Sequence, residues 1–196
     1  MAVGGEITIK SGTTPGTPSA GNITLWADAD GTLQALQSSG SSSGLGMYSA
    51  YMKCSDVKSQ NTGGGTFTQD AWQTRVINTE DADTGGNMSI SSNQITLDAG
   101  TYRILAVLPA NSVNFNQARV YNISDSDILL TGRSSYARGD PSYQNVPATI
   151  QGRFTISAQK VLEIQHYCQT TATSGFGSAA NFTTEIYATI ELWKEA

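Results

Sequence analysis

The feature that most constrains this chain is a period of two near its C-terminus: Ile186, Ala188, Ile190 and Leu192 share one parity, and Tyr187, Thr189, Glu191 and Trp193 the other. A pleated strand sends alternate side chains to opposite faces, so such a segment covers one face and presents the other. Similar runs occur at Thr101 to Leu108, Ala118 to Ile123, Gly152 to Ile156 and Val161 to Cys168, each bounded by Gly, Asn, Asp, Ser or Pro. No capped segment of helical period accompanies them. Many short strands without helices predict an all-β fold, an antiparallel sandwich of two sheets and most economically a jelly roll, over residues 47–196.

Residues 1–46 read differently, as an extended arm. Ile7 and Ile9 alternate with Glu6, Thr8 and Lys10 in a short strand, and Ser11 to Ala20 carries Pro15 and Pro18. Ile23 to Ala27, the turn Asp28-Ala29-Asp30-Gly31 and Thr32 to Gln37 then predict a hairpin closed by Asp-Gly turn chemistry. An isolated hairpin is marginal in water, so the arm is expected to pack on something else. Ser38 to Gly46 is a Ser/Gly linker.

Composition narrows the function classes. Charged residues are 14% of the chain, and 11 Lys+Arg against 16 Asp+Glu leave a net charge of -5 without a basic cluster. Nucleic-acid binding depends on clustered cations that displace counterions from phosphates, so no nucleic-acid partner is expected. The longest apolar runs, such as Ile104 to Ala110, fall far short of the ~20 residues that span a bilayer, and no membrane insertion is expected. Met1 to Lys10 has neither the basic start nor the apolar core of a secretory signal. Cys54 and Cys168 are too far apart in sequence for a CxxC motif and read as two reduced thiols.

Catalytic chemistry is poorly provided for, and no enzyme activity or cofactor is expected. The single histidine, His166, shares a strand face with Leu162, Ile164 and Cys168, which predicts an interior histidine rather than a base. Alternate residues on one strand stand about 7 Å apart, beyond the reach a Cys168–His166 pair would need. No G-x-S-x-G elbow presents a serine. Hard oxygen ligands occur at Asp28 and Asp30, at Glu80, Asp81 and Asp83, and at Asp125 and Asp127, but none completes a calcium-loop pattern. Asp in turns explains all three, with the Glu80 to Asp83 stretch the first to consider were calcium to bind. Arg138-Gly139-Asp140 spells an integrin tripeptide by chance, and the sequons at Asn22, Asn87, Asn122 and Asn181 are what Thr-rich loops and strands yield. Thr131 to Gln144 predicts an exposed polar loop, and there Arg133, Tyr136, Arg138 and Tyr143 combine aromatic anchors with adaptable polar groups as ligand-binding loops do.

Two stretches resemble known families. Ile95-Thr-Leu97-Asp-Ala-Gly100-Thr-Tyr102-Arg-Ile104 resembles the jelly roll shared by tumour necrosis factor and the complement globular heads, where a Gly turn precedes a Gly-x-Tyr-x-apolar strand. Trp72 to Thr79 and Glu185 to Trp193 fit the same pattern. The segment from Pro15 to Leu33 resembles one frequent in structural proteins of tailed bacteriophages, where it precedes a C-terminal knob. Together these resemblances imply a homotrimeric virion protein made in the host bacterial cytoplasm, a decoration, cement or head-fibre protein on the capsid exterior. Its arm would grip the major capsid protein or another virion protein, with Ile7, Ile9, Ile23, Leu25 and Trp26 as apolar anchors. Tyr102, Tyr167, Tyr187 and Trp193, amphipathic aromatics expected on outward strand faces, are the corresponding trimer-interface residues. The alternative is a receptor-binding knob of a tail fibre or spike that holds host-surface carbohydrate.

Overall fold

The computed structural model describes residues 12, 14–17, 19–20, 22–27, 29, 33–37, 42–44, 48–139 and 144–195. The chain divides into two compact units, Met1–Ser49 and Ala50–Glu195. In the first, β1 (Ile23–Ala27) pairs antiparallel with β2 (Leu33–Gln37), Leu25 opposite Ala35, and β3 (Ser42–Gly44) adds to β2. The expected hairpin is therefore present. Ile7 and Ile9 lie outside the described residues.

The second unit is all-β, and its strand pairing identifies the topology. One sheet runs β13 (Ala148–Ile156), β9 (Gly100–Leu108), β15 (Glu185–Glu195), β4 (Tyr48–Lys58) and β6 (Thr79–Asp83). The other runs β11 (Asp127–Thr131), β10 (Asn114–Asn122), β14 (Lys160–Cys168), β8 (Gln94–Leu97) and β7 (Met88–Ser91), with β12 (Ser135–Ala137) on β10 and β5 (Gln73–Thr74) on β14. The pairs β4–β15, β8–β14, β9–β13 and β10–β11 are nested: the first long strand meets the last, and each later pair lies inside the one before. A long hairpin folded over on itself has that nesting, and closing it into two facing sheets gives the jelly roll. The β7–β8 hairpin is closed by Ser92 (φ 53°) and Asn93 (φ 64°), the double left-handed geometry of a tight two-residue turn.

The sheets meet on their alternating apolar faces. Tyr102, Ile104, Ala106 and Leu108 of β9, flanked by Ile150 and Phe154 of β13 and Ile190 and Leu192 of β15, pack against Ile95, Leu97, Val120, Leu162 and Ile164 of the other sheet. Gly152 stands opposite Ile104, and a Cβ there would meet Leu130 of β11 at 3.0 Å, so its bareness makes room for that leucine. A second cluster, Phe67, Ala110, Val113, Ala137, Cys168 and Phe176, fills another part of the interior. Cys54 and Cys168 are buried free thiols, and burial raises the first to about 12 and the second to about 11.

Four expectations need correction here. Thr131 to Gln144 is not a continuous loop, because Ser135–Ala137 pairs with the start of β10. Glu80 to Asp83 is strand rather than loop: Asp81 accepts a hydrogen bond from the Ser55 hydroxyl at 2.8 Å, and Asp83 accepts the amides of Gly85 and Met88. On β15 the simple alternation fails at its start, since Ile186 is exposed while Tyr187 and Ala188 are both buried. Tyr102 is completely buried between the sheets, not on an outward face. Its hydroxyl donates to the Asp98 carbonyl at 2.7 Å and its ring stacks 5.7 Å from Phe154, which lets a tyrosine occupy the core with its polar end satisfied.

Candidate functional site

The sandwich presents two outward faces of different character. On β10 the buried set Asn116, Ala118, Val120 and Asn122 leaves Phe115, Gln117, Arg119 and Tyr121 on the opposite side, and on β14 the same alternation turns Glu163, Gln165 and Tyr167 outward. Register joins the two rows, with Gln117 opposite Tyr167, Arg119 opposite Gln165 and Tyr121 opposite Glu163. β12 places Tyr136 beside Phe115, ring centroids 4.8 Å apart. Trp72, just before β5, lies 5.6 Å from the Tyr167 ring. The Arg119 guanidinium is held 4.0 Å from the Trp72 ring and 4.8 Å from that of Tyr121, and its Nε donates to Gln165 Oε1 at 2.9 Å.

Between these ring pairs lies a groove of about 420 Å³ lined by Asp70, Phe115, Asn116, Gln117, Ser134, Tyr167 and Gln169. Phe115 is 61% exposed. Asp70 is fixed by Gln69, whose Nε2 donates to Oδ2 at 2.9 Å, and by a long contact of 3.4 Å from the Tyr167 hydroxyl to Oδ1. Lower on the face, burial works to raise the Glu163 carboxyl, but hydrogen bonds from Gln165, Thr74 and Gln94 outweigh it and hold it below the usual range.

Beneath the groove the polar network turns inward. His166 is buried as its strand position predicts, and its Nε2 lies 3.0 Å from Asn116 Oδ1. Because Asn116 Nδ2 donates to the Asn114 carbonyl, its oxygen faces the ring, which assigns the imidazole proton to Nε2. Burial, helped by the charge of Arg75, pulls His166 well below its ordinary value, so the ring is neutral. It packs 4.7 Å from the Phe67 ring. Arg75 is itself fully buried: Nη1 donates to the Pro109 carbonyl at 3.0 Å, Nη2 to that of Phe176 at 3.2 Å, and the guanidinium lies 4.3 Å from the Phe176 ring centroid. Burial brings its pKa down to about 9, with Asp56 opposing the shift, so the group stays cationic at neutral pH. No nucleophile has its base here, and no three metal-ligating side chains converge among the described residues.

The outward face of the other sheet sets apolar groups among charged and polar ones, with Glu191 opposite Leu105, Thr189 opposite Val107 and Arg103 opposite Trp193. Leu105 and Val107 of β9 are half-buried, and Tyr51 of β4 lies 5.7 Å from Trp193 of β15. Of the four residues expected at a subunit interface, Trp193 is on this face, Tyr167 is on the opposite sheet, and Tyr102 and Tyr187 point inward. The Tyr187 hydroxyl donates to the Thr62 carbonyl at 2.7 Å, and its ring lies over Gly177 (φ 137°), where a Cβ would come within 2.2 Å of a ring carbon. Of the loop residues, Arg133, Arg138 and Tyr136 are exposed, Tyr136 against the ring of Phe115, and Tyr143 lies outside the described residues. In the arm, Ile23 is 63% and Leu25 46% exposed, while Trp26 is buried. Of the residues expected in a ligand-binding loop only Tyr136 stands beside the groove, against Phe115, and Tyr167, expected at a subunit contact, lines it instead; Phe115 and Gln117 meet Tyr167 through cross-strand register, and Asp70 comes from a distant loop.

No protein family's sequence model matches the chain, and neither does any curated protein. Solved structures do. Murine APRIL at pH 5.0 is 9% identical with a TM-score of 0.50, over 74% of this chain and 98% of that one. The globular domain of zebrafish complement 1qA is 12% identical over 73% and 94% of the two chains, with a TM-score of 0.45. PRD1 vertex protein P5 is 15% identical over 77% and 100%, with a TM-score of 0.43. At these identities the likeness concerns the fold alone, and the APRIL match agrees with the nested pairing above: residues 50–195 form a jelly roll like that of murine APRIL.

Proposed function

We propose that the chain is a homotrimeric bacteriophage virion structural protein, without catalytic activity, that decorates the capsid exterior. Residues 1–46 grip the capsid and residues 47–196 form the knob. The observation that carries the trimer is the outward patch of Leu105, Val107, Tyr51 and Trp193. A monomer leaves these apolar and aromatic groups partly wet, whereas a subunit contact through them buries aliphatic surface at about 25 cal/mol per Å² and uses aromatics of the kind enriched in interfaces. Trp193 and the neighbours supplied by β4 and β9 therefore replace Tyr102 and Tyr187 as the interface residues of this reading. The virion location is supported by the resemblance of Pro15 to Leu33 to the anchoring segments of tailed phages, and by Ile23 and Leu25, which display apolar side chains on a short hairpin. Docking by strand addition would use backbone bonds for affinity and alternate side chains for specificity. Three arms on one trimer would add avidity.

Light scattering tests the trimer: the expected mass is three times the 20.7 kDa of the chain, and Leu105→Arg should return it to 20.7 kDa. A wild-type chain that stays at 20.7 kDa when concentrated overturns the assembly. Bare capsids test the location, since they should bind the full chain and not one lacking residues 1–46.

A further inference from the structure

We propose that the groove lined by Phe115, Gln117, Tyr167 and Asp70, with Tyr136 packed against Phe115, is a binding site for a neutral glycan. This goes beyond the structural role above and does not depend on it, because the groove lies on the sheet opposite the proposed subunit contact.

The argument starts from what the lining can and cannot satisfy. A sugar ring offers an apolar face of C–H groups and a rim of hydroxyls, and so needs aromatic surface beside fixed hydrogen-bonding groups. The groove supplies both. Phe115 and Tyr136 form one ring pair and Tyr167 and Trp72 the other, each pair holding its members in place. Asp70, anchored by Gln69, keeps lone pairs for hydroxyl donors. Gln117 commits Nε2 to the Gly132 carbonyl at 3.0 Å, while its Oε1 and the side chain of Gln169 have no protein partner among the described residues. A cavity of about 420 Å³ falls within the ~300–1,000 Å³ usual for small-ligand sites.

The competing occupants fit less well. A peptide strand would need an open backbone edge, but at this level β10 is paired on one side by β12 and on the other by β14. A purely apolar surface would strip water from Asp70, Gln117 and Gln169 without replacing it, at about 1–3 kcal/mol for each group left unpaired. An anionic ligand would meet the Asp70 carboxylate in the lining, which itself holds no cation, and Arg119 further along the face is already engaged by two rings and by Gln165. A neutral polyhydroxylated chain meets none of these objections. The face continues past the groove through Trp72 and Arg119 to Tyr121, six residues beyond Phe115 on β10 and so about 20 Å at strand rise, long enough for several sugar units to lie along it.

Native electrophoresis of the full chain through gels containing dextran, mannan, laminarin or xylan tests this, with hyaluronate as the charged control. At least one neutral polysaccharide is expected to retard the protein. Phe115→Ala and Tyr136→Ala, both at exposed side chains and so without risk to the fold, should each weaken that retardation at least tenfold, and Ile186→Ala on the other sheet should leave it unchanged. Failure of every neutral polysaccharide to retard the chain overturns the site, as does retardation by hyaluronate alone or equal retardation of wild type and variants. A change of solution mass in Phe115→Ala also overturns it, by making the ring pair a subunit contact. Mass is read separately from retardation, so loss of the trimer and loss of the glycan site are distinguishable.

Discussion

Around Ile104 the space between the sheets is filled mainly by aliphatic side chains, with Ala106, Ile150, Ile190 and Leu162 in one cluster, whereas around His166 the same sandwich encloses Arg75, Asn116 and an imidazole among Phe67, Phe176 and Cys168. The two regions hold by different physics. In the first, each side chain contributes through area removed from water, and a modest loss of volume has a modest cost. In the second, stability depends on the partnered polar atoms keeping their partners, because burial makes an unpaired one expensive, as the Nδ1 of His166 already is. Arg75 illustrates the point: it fixes the carbonyls of Pro109 and Phe176, and hence the loop before β10 and the approach to β15, with one planar group. The groove floor, Asn116, is bonded to this region and not to the aliphatic one.

The largest expected difference comes from removing the charge. Arg75→Met keeps much of the volume but leaves the buried carbonyls of Pro109 and Phe176 without donors, while Asp56 keeps Lys58 at 3.2 Å, and should cost about 3–5 kcal/mol. In the aliphatic region Ile150→Val should cost only about 0.5–1.5 kcal/mol. Urea unfolding of the two variants against wild type measures both; a loss below about 1.5 kcal/mol for Arg75→Met would mean that the region tolerates its polar groups being orphaned.

The next difference is in acid. His166 is neutral in the fold, with its pKa depressed by burial and by Arg75, and ordinary once unfolded. The unfolded chain therefore binds the extra proton first, and stability is fully present above about pH 6.5 and falls below it, by up to about 1.4 kcal/mol per pH unit, until the folded value is reached. Asp56, raised by burial, works in the opposite sense at lower pH, so the useful comparison is with His166→Gln, which can still donate to Asn116 but does not titrate. Between pH 6.5 and 5 the wild type should lose stability and the variant should not; parallel curves would sink the assignment.

This contrast also marks where the sequence is informative. Period-two runs located β9, β10, β13, β14 and β15, and the parity of His166 with Leu162 and Ile164 predicted its burial. Tyr102 shares the parity of Ile104, Ala106 and Leu108 and so belongs inside by alternation alone; expecting it outside weighed its hydroxyl over its parity, and the Asp98 carbonyl satisfies that hydroxyl. At Tyr187 the strand changes phase, since a ring seated over Gly177 and bonded to Thr62 takes the inward place that Ile186 would hold by alternation. β4 went unseen because Ser55 and Asp56 interrupt its apolar alternation while still lying buried. Of the groove the sequence marks only a neighbour, Tyr136, since Tyr167 reads there as a subunit contact; the rest depends on pairing across strands more than forty residues apart, which no local pattern carries.

The smallest expected effect tests whether exposure alone marks importance. Phe182 is 87% exposed, yet the loop that carries it is rigidly tied. Glu185 accepts the amides of Asn61 and Asn181 at Oε1 and of Ala180 at Oε2, and these bonds outweigh burial to hold its carboxyl low. The loop therefore owes its shape to backbone bonds and nothing to the phenylalanine ring. Phe182→Ala should change stability by less than about 0.5 kcal/mol in urea unfolding, the usual range for a surface substitution away from caps and cores. A larger loss would show that the ring packs on a surface that a single chain does not display, and would add this loop to the subunit contact proposed through Trp193.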